Sequence, residues 1–481
     1  MQYHSTRGGS GQLDSAAAVL QGLAQDGGLF LPVEIPVFDW ENCLTCDTKK
    51  MAEKILSAFL PDIPEMDVLV EKAYTGKFET EELTPTVPVG SFTVLELFRG
   101  PTSAFKDVAL SMLPQLMTAA KTQKGMQEDI LILTATSGDT GKAALVGFQD
   151  VPGIRICVFY PDGGVSQVQR RQMVSQEGEN VTVCAVRGNF DDAQTGVKNI
   201  FAACQGKELP FELSSANSIN IGRLVPQITY YFKAYQDLLN RKQIQLGDPV
   251  NFSVPTGNFG DILAGYLAKL LGLPVGKLIC ASNANNVLTD FIRTGTYDRK
   301  RPLYKTTSPS MDILVSSNLE RLLYLMSGDT ALVASLMAQL NREGAYTVPE
   351  KLLEEIQNQF WAGCCDDVGA AAAISRVWEK YRYLCDTHTA AGWAVAEDYV
   401  NQTGDTTPMV VLSTASPYKF PAAVLSAIGG DTTGDEFTLM ERLQAITGVK
   451  IPGNLSGLRK KPERHTQVIA KEEMLSFVLE L

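Results

Sequence analysis

Past residue 90, short unbroken apolar runs alternate with longer stretches of helical spacing. The runs DILILTAT (129–136), IRICVFYP (154–161), VTVCAV (181–186), NFSVPT (251–256), KLICAS (277–282) and MVVLSTA (409–415) are β-rich and apolar at successive positions. Continuous rather than alternating hydrophobicity predicts strands covered on both faces. Between them stand amphipathic stretches of helix length: GDTGKAALVGF after the first run, VSQVQRRQMVSQEG after the second and DDAQTGVKNIFAAC after the third. Strands alternating with helices predict right-handed βαβ units and mainly parallel sheets, so the fold class is α/β with two sheet domains.

The first 90 residues follow a different rhythm. Gly8, Gly9 and Gly11 precede an apolar helical pattern and then DGGLFLP, and KKMAEKILSAFL (49–60) has helical spacing before Pro61 and Pro64. The stretch TEELTPTVPVG (80–90), with two prolines and a glycine, predicts a linker. These signals predict a small N-terminal domain over residues 1–85 and a body over 86–430, with a smaller subdomain at about 115–235. Residues 431–481 follow as a helical or extended C-terminal segment. No repeat of fixed period interrupts this plan.

Composition then narrows the chemistry. The 481 residues suit roughly three domains at ~150 residues each. Lys and Arg total 42 against 54 Asp and Glu, a net charge of −12, which argues against nucleic-acid or anionic-membrane partners. The only histidines are His4, His388 and His465, too few for a multi-histidine metal site and a poor basis for a Ser–His–Asp hydrolase. Nine cysteines without framework spacing suit ordinary thiols in a reducing compartment. Cys43 and Cys46 form one CxxC without a second pair, and Cys364 and Cys365 are adjacent, so no metal site is expected. The amino terminus lacks a charged n-region followed by an apolar h-region, and no run of 18 apolar residues occurs. The expectation is a soluble, cytoplasmic protein, monomeric or homodimeric.

Ligands of open α/β sheets bind where strands end and helices begin, and two glycine-rich turns occupy such junctions. The first is Thr136-Ser137-Gly138-Asp139-Thr140-Gly141-Lys142. A P-loop would need glycine at 136 and Ser or Thr at 143, where the chain has Thr136 and Ala143. What remains is a small-residue turn exposing amide N–H groups at a helix start, suited to a carboxylate or phosphate. The alternative is that Asp139 or Thr140 simply caps the helix. The second turn, Pro255-Thr256-Gly257-Asn258-Phe259-Gly260-Asp261, opens the helical run ILAGYLAKLLG and is either a second anion site or a tight turn without a ligand. Two such turns favour a ligand with two anionic groups.

One lysine stands out. In LELFRGPTSAFKDVALS, Lys106 follows a Gly-Pro turn and Phe105 and precedes the helix DVALSMLPQLM, where a lysine is either a solvated charge or a functional amine. An ammonium near the positive end of a helix and apolar side chains is disfavoured, which is how Schiff-base lysines become nucleophilic amines.

FRGPTSAFKD, TATSGDTG, VPTGNFGD and LSTASPYKF together resemble the threonine synthases, pyridoxal-phosphate enzymes of the tryptophan-synthase-β fold. The opening STRG, DGGLFLP, NSINIGRLVPQ (217–227), MDILVSSNLER (311–321) and DTHTAAGWAV (386–395) are similar to the same family, in the family's order, to about residue 430. The resemblance implies fold type II: two parallel-sheet α/β domains plus the small N-terminal domain. It implies pyridoxal 5′-phosphate carried by Lys106, which then shuttles protons. Gly257, Asn258, Phe259, Gly260 and Asp261 match the cofactor phosphate loop, and Thr414 the hydroxyl at the pyridine nitrogen. Ser137, Gly138, Asp139, Thr140 and Gly141 match the turn for the amino-acid carboxylate. In relatives the central residue of that turn, here Asp139, also approaches the cofactor's 3′ oxygen.

The implied reaction converts O-phospho-L-homoserine and water to L-threonine and phosphate, a carbon–oxygen lyase chemistry. Arg223, Lys419, Lys142 and Arg99 are the candidate cations for that substrate, while His388 reads as structural. Two positions depart from the family pattern, Arg99 and Ser416, where many members carry histidine. They leave open a phospho-lyase on the same substrate giving 2-oxobutanoate, or another fold-type-II lyase or dehydratase.

Overall fold

The computed structural model of the chain describes residues 1–204 and 206–481. All six predicted runs form strands: Asp129–Ala135, Ile154–Pro161, Val181–Arg187, Val250–Pro255, Val275–Ser282 and Met409–Ser413. They divide between two sheets. In the five-stranded sheet the order is Val468–Ala470, Val181–Arg187, Ile154–Pro161, Asp129–Ala135, Phe211–Ser214, all parallel. In the six-stranded sheet it is Phe360–Cys364, Val275–Ser282, Val250–Pro255, Met409–Ser413, Phe92–Glu96, Thr86–Val89. Its pairs are parallel except the last. Both faces of the central strands are covered by helices, and every residue of Val250–Pro255 and Met409–Ser413 is buried.

The expected linker at 80–90 is corrected by the structure. Thr86–Val89 is the antiparallel edge strand of the six-stranded sheet, pairing with Phe92–Glu96. An edge strand tolerates Pro88, whose missing N–H would break a ladder only in a central position. The C-terminal segment likewise supplies a strand, Val468–Ala470, to the edge of the other sheet.

The leading residues form a three-stranded antiparallel sheet of Gln2–Ser5, Leu13–Asp14 and Phe30–Pro32 with helices Ser15–Gln21, Thr48–Phe59 and Met66–Tyr74. Its buried side chains, Tyr3, Phe30, Met51 and Phe59 among them, continue without a break into the apolar cluster holding Leu113, Leu116 and Tyr231 of the body. This continuity positions the N-terminal segment against the helix that Lys106 begins.

Candidate active site

A cleft of about 1600 Å³ opens where strands of both sheets end, and Lys106, Ser137, Thr140, Arg223, Gly257–Asp261, His388 and Thr414 all line it. Lys106 is the first residue of the helix Lys106–Gln123. The turn before it is built around the buried Asp107. Its carboxylate accepts the Thr102 N–H at 2.9 Å and the Thr102 hydroxyl at 2.5 Å. A side chain at Gly100 would meet Asp107 at 2.4 Å, so the turn needs glycine there. The Phe105 ring lies 4.4 Å from Lys106 Nζ. Burial drives the Lys106 ammonium down to about 8; Asp139 pulls it back up, while Lys419 and Arg223 push it further down. The amine is therefore available as a base or nucleophile near neutral pH.

The second glycine turn presents an open row of amides. The helix Gly260–Leu270 starts behind Phe259, which sits in the left-handed region at φ 61°. Among the described residues, the N–H groups from Gly257 to Asp261 find no protein acceptor. From outside, the 308–318 segment grips the turn. Ser316 donates to the Gly257 carbonyl (2.8 Å), and Asn318 donates to the Asn258 carbonyl through both its backbone (3.1 Å) and its amide (3.0 Å). A Cβ on Gly257 would come within 2.5 Å of the Ser310 carbonyl. Asp261 accepts from the Tyr230 hydroxyl (2.6 Å) and the Tyr231 hydroxyl (3.1 Å) on one oxygen, leaving Oδ2 buried and unpartnered. Burial raises its carboxyl to about 6 despite those bonds. Five open amides at a helix start and a carboxyl able to hold a proton fit a bound phosphate group. Lys106 in the same cleft supplies the amine that pyridoxal phosphate requires, so the residues present fit that cofactor.

The first glycine turn is less open. Thr136 Oγ1 accepts the N–H groups of Gly138 and Gly141, both at 2.9 Å. Ser137 and Thr140 line the cleft, while Gly138, Asp139 and Gly141 do not. Gly138, at φ 134°, is the N-cap and no side chain caps the helix, so the capping alternative for Asp139 and Thr140 falls. Asp139 instead pairs with Lys419 at 2.6 Å, both groups buried, and accepts from Gln169 at 2.9 Å. Burial pushes its carboxyl up, but Lys419, Lys106 and Gln169 outweigh burial and hold it well below the usual range.

The geometry places three of the expected substrate cations outside the cleft. Lys419 is fully buried away from the cleft, committed to Asp139 and to the Thr102 carbonyl at 3.1 Å. Arg99 is held by Glu96 (2.6 Å) and Glu79 (2.9 Å). Lys142 enters a separate crevice and donates to Gln176. Arg223 alone remains. It is buried, its Nη1 donates to the Ala216 carbonyl at 2.7 Å, and its Nε has no partner. Among the described residues no carboxylate lies within ion-pair distance of it. Burial lowers its guanidinium to about 10, so it stays charged at neutral pH.

Thr414 is fixed by its backbone, its carbonyl accepting the Phe105 N–H at 2.8 Å, which registers it against Lys106. Sequence reasoning assigned His388 no role in the site. Its Nδ1 lies 2.6 Å from the buried Asp386, and its Nε2 accepts the Ser310 N–H at 3.2 Å. This props the segment that presses on Gly257. DTHT was visible in the sequence, but nothing there placed it opposite residue 310.

Among the described residues no cluster of three His, Cys, Asp or Glu side chains could hold a metal ion, and no helix is long and apolar enough to cross a membrane. The parallel sheets, the buried lysine at a helix start and the amide cradle define a pyridoxal-phosphate-dependent enzyme of fold type II. Family models agree: threonine synthase N terminus at residues 2–74, pyridoxal-phosphate dependent enzyme at 75–341, and threonine synthase, C-terminal, at 389–478. Threonine synthase-like 1 from Macaca fascicularis is 40% identical over 432 residues, 85% of this chain and 57% of that protein. The chain thus spans little more than half the length of that relative. Threonine synthase from Pseudomonas aeruginosa is 40% identical over 438 residues, 89% of this chain and 90% of that one. A crystal structure of pyridoxal-phosphate-bound threonine synthase from Brucella melitensis superposes with a TM-score of 0.88 at 40% identity, covering 100% of this chain and 98% of that one. The chain belongs to the threonine synthase family.

Proposed function

We propose that the chain converts O-phospho-L-homoserine and water to L-threonine and inorganic phosphate, with phosphate leaving Cγ and water adding at Cβ. The observation that carries this reading is Arg223. It is a buried guanidinium without an acid, facing the same cleft as Lys106 and the five open amides. A buried cation without a counter-charge is costly unless a ligand brings one. One anion cradle serves the cofactor phosphate, and Arg223 supplies a second anionic position for the phosphate of the substrate.

When bound, pyridoxal phosphate supplies the electron sink that makes protons at the substrate's Cα and Cβ removable. In this reading Gly257–Asp261 would hold the cofactor phosphate and the Thr414 hydroxyl would serve the pyridine nitrogen. Ser137 and Thr140 receive the substrate carboxylate, with Gly138 and Gly141 shaping the turn and Asp139, neutralised by Lys419, behind it. Lys106 takes and returns the protons, its amine poised near pH 8 by burial. All nine cysteines are free, which suits a reducing, cytoplasmic setting.

The two departures that raised the phospho-lyase alternative lie outside the cleft. Arg99 is ion-paired, and the Ser416 hydroxyl accepts the Tyr418 N–H at 3.3 Å. No observation favours that alternative. Purified, cofactor-loaded protein should release threonine and phosphate in equal amounts from O-phosphohomoserine. Release of 2-oxobutanoate in place of threonine, or no phosphate at all, would overturn the assignment.

A further inference from the structure

A second, smaller crevice of about 180 Å³ lies apart from the cleft. The helix Asp139–Phe148 forms one wall through Lys142, the end of Gln167–Val174 forms another through Gln172, and Asn454, Leu458 and Lys461 of the C-terminal segment close it. Its chemistry is unbalanced. Among the described residues neither Lys142 nor Lys461 has a carboxylate within 4 Å, although the chain carries 54 acidic residues. The Lys142 ammonium keeps one protein acceptor, the Gln176 amide oxygen at 2.5 Å. Gln172 lines the same crevice; its Oε1 is buried with no donor, while its amide nitrogen donates to the Thr102 carbonyl at 3.4 Å.

Two lysines without an acid partner favour an anion, and an orphaned acceptor asks for a ligand that also carries a proton. Carboxylate and sulfate offer only acceptors at neutral pH, and either would set an oxygen against Gln172 Oε1. Hydrogenphosphate satisfies both demands, its P–O⁻ oxygens accepting from the lysines and its P–OH donating to Gln172. The volume holds one tetrahedral oxyanion. We propose that the Lys142–Lys461–Gln172 crevice is a binding site for inorganic hydrogenphosphate, separate from the cleft. Lys142 lies one residue beyond Gly141, so an anion here bears directly on the helix that carries the substrate turn.

The charge state of Lys142 supports this reading. Burial brings its ammonium down to about 7, with Lys461 and Lys419 pushing the same way and Asp107 and Glu177 opposing. Glu177, which also lines the crevice, is itself paired with Arg464 at 3.2 Å. A bound dianion reverses that balance and charges Lys142, so binding takes up a proton.

Isothermal titration of the cofactor-loaded enzyme with inorganic phosphate tests the site without turnover, so failure of the proposed reaction leaves this test standing. Phosphate bound in the cleft is lost in Arg223→Gln; phosphate in the crevice survives it. The crevice site is expected to weaken at least ~10-fold in Lys142→Met, as loss of a charged hydrogen bond implies. It should weaken as well in Lys461→Met, whose exposed position keeps folding unaffected. Sulfate should bind there at least ~10-fold more weakly than phosphate, and Gln172→Leu should narrow that ratio. The binding enthalpy should vary with the ionisation heat of the buffer. Binding that is unchanged in Lys461→Met, sulfate equal to phosphate, or a phosphate-soaked crystal showing only water in the crevice would each overturn the assignment.

Discussion

Replacing Lys419 by methionine keeps its bulk and removes one charge from a buried pair. The pair is close, 2.6 Å, with side chains 0% and 3% exposed, so solvent screens little of its loss. Asp139 would keep only the Gln169 amide at 2.9 Å among its strong donors. Stranding one partner of a buried ion pair costs about 3–5 kcal/mol. The sign with pH follows from the depressed carboxyl. A group whose folded pKa is lowered contributes stability above its unfolded value, ~3.9 for Asp, and loses it as pH falls through the folded one. The deficit of Lys419→Met should therefore be full at neutral pH and shrink as acid protonates Asp139. Urea unfolding of the apoprotein at pH 7 and pH 4 measures both. The double variant Asp139→Asn/Lys419→Met removes both charges and should recover most of the loss. Lys419 also pushes Lys106 down, so its removal should lift the Lys106 midpoint above about 8. A loss under ~1 kcal/mol at pH 7, or a double variant no more stable than the single one, would refute the pairing as the reason for Lys419.

Other outcomes follow from the same geometry. The rate at which apoprotein captures pyridoxal phosphate should rise with pH around a midpoint near 8 rather than at the ordinary lysine value, and Lys106→Ala should abolish the yellow band of lysine-bound cofactor. Because the Lys106 pKa is lowered on folding, apoprotein stability should increase between about pH 8 and ~10.4, a rise absent in Lys106→Ala. Gly257→Ala forces a methyl to 2.5 Å from the Ser310 carbonyl, so cofactor affinity should fall with little change in far-UV circular dichroism. Arg223→Gln should lower kcat/KM for O-phosphohomoserine ~10–100-fold, the worth of a charged hydrogen bond, while cofactor absorbance is retained. His388→Phe removes the acceptor for the Ser310 N–H and should weaken cofactor binding; His388→Gln, which keeps an acceptor at that reach, should restore it.

The strands were legible because parallel strands buried on both faces write continuous apolar runs, and IRICVFYP maps residue for residue onto Ile154–Pro161. The linker reading failed for a definable reason: Pro88 signals a break unless the strand is at an edge, and edge position is a property of the sheet, not of the stretch. Phe211–Ser214 and Val468–Ala470, at 4 and 3 residues, are too short for periodicity to register. At the site, the residues whose role depends on their own backbone were visible: glycines at strand ends and a lysine at a helix start. Residues whose role depends on a distant partner were not. Lys419 reads as a free cation until folding places it on Asp139, 280 positions away, and nothing in DTHT says that its imidazole meets residue 310.

The same distinction explains how a chain of net charge −12 can still offer donors to the anions proposed for its cleft. Net charge acts over distances that salt screens within about 8 Å, whereas the cleft works through groups in direct contact with a ligand. Its donors are backbone amides from Gly257 to Asp261, which carry no formal charge and need no counter-ion when empty. The buried cations in and behind the cleft are separated by role. Lys419 is spent on Asp139, Lys106 is lowered toward neutrality, and Arg223 keeps its charge because a guanidinium cannot shed it near pH 7. A lysine at 223 would be free to deprotonate when buried, as Lys106 does, and would leave no fixed cation for a phosphate. The residue type at each position thus follows from whether its charge must be given up, balanced or kept.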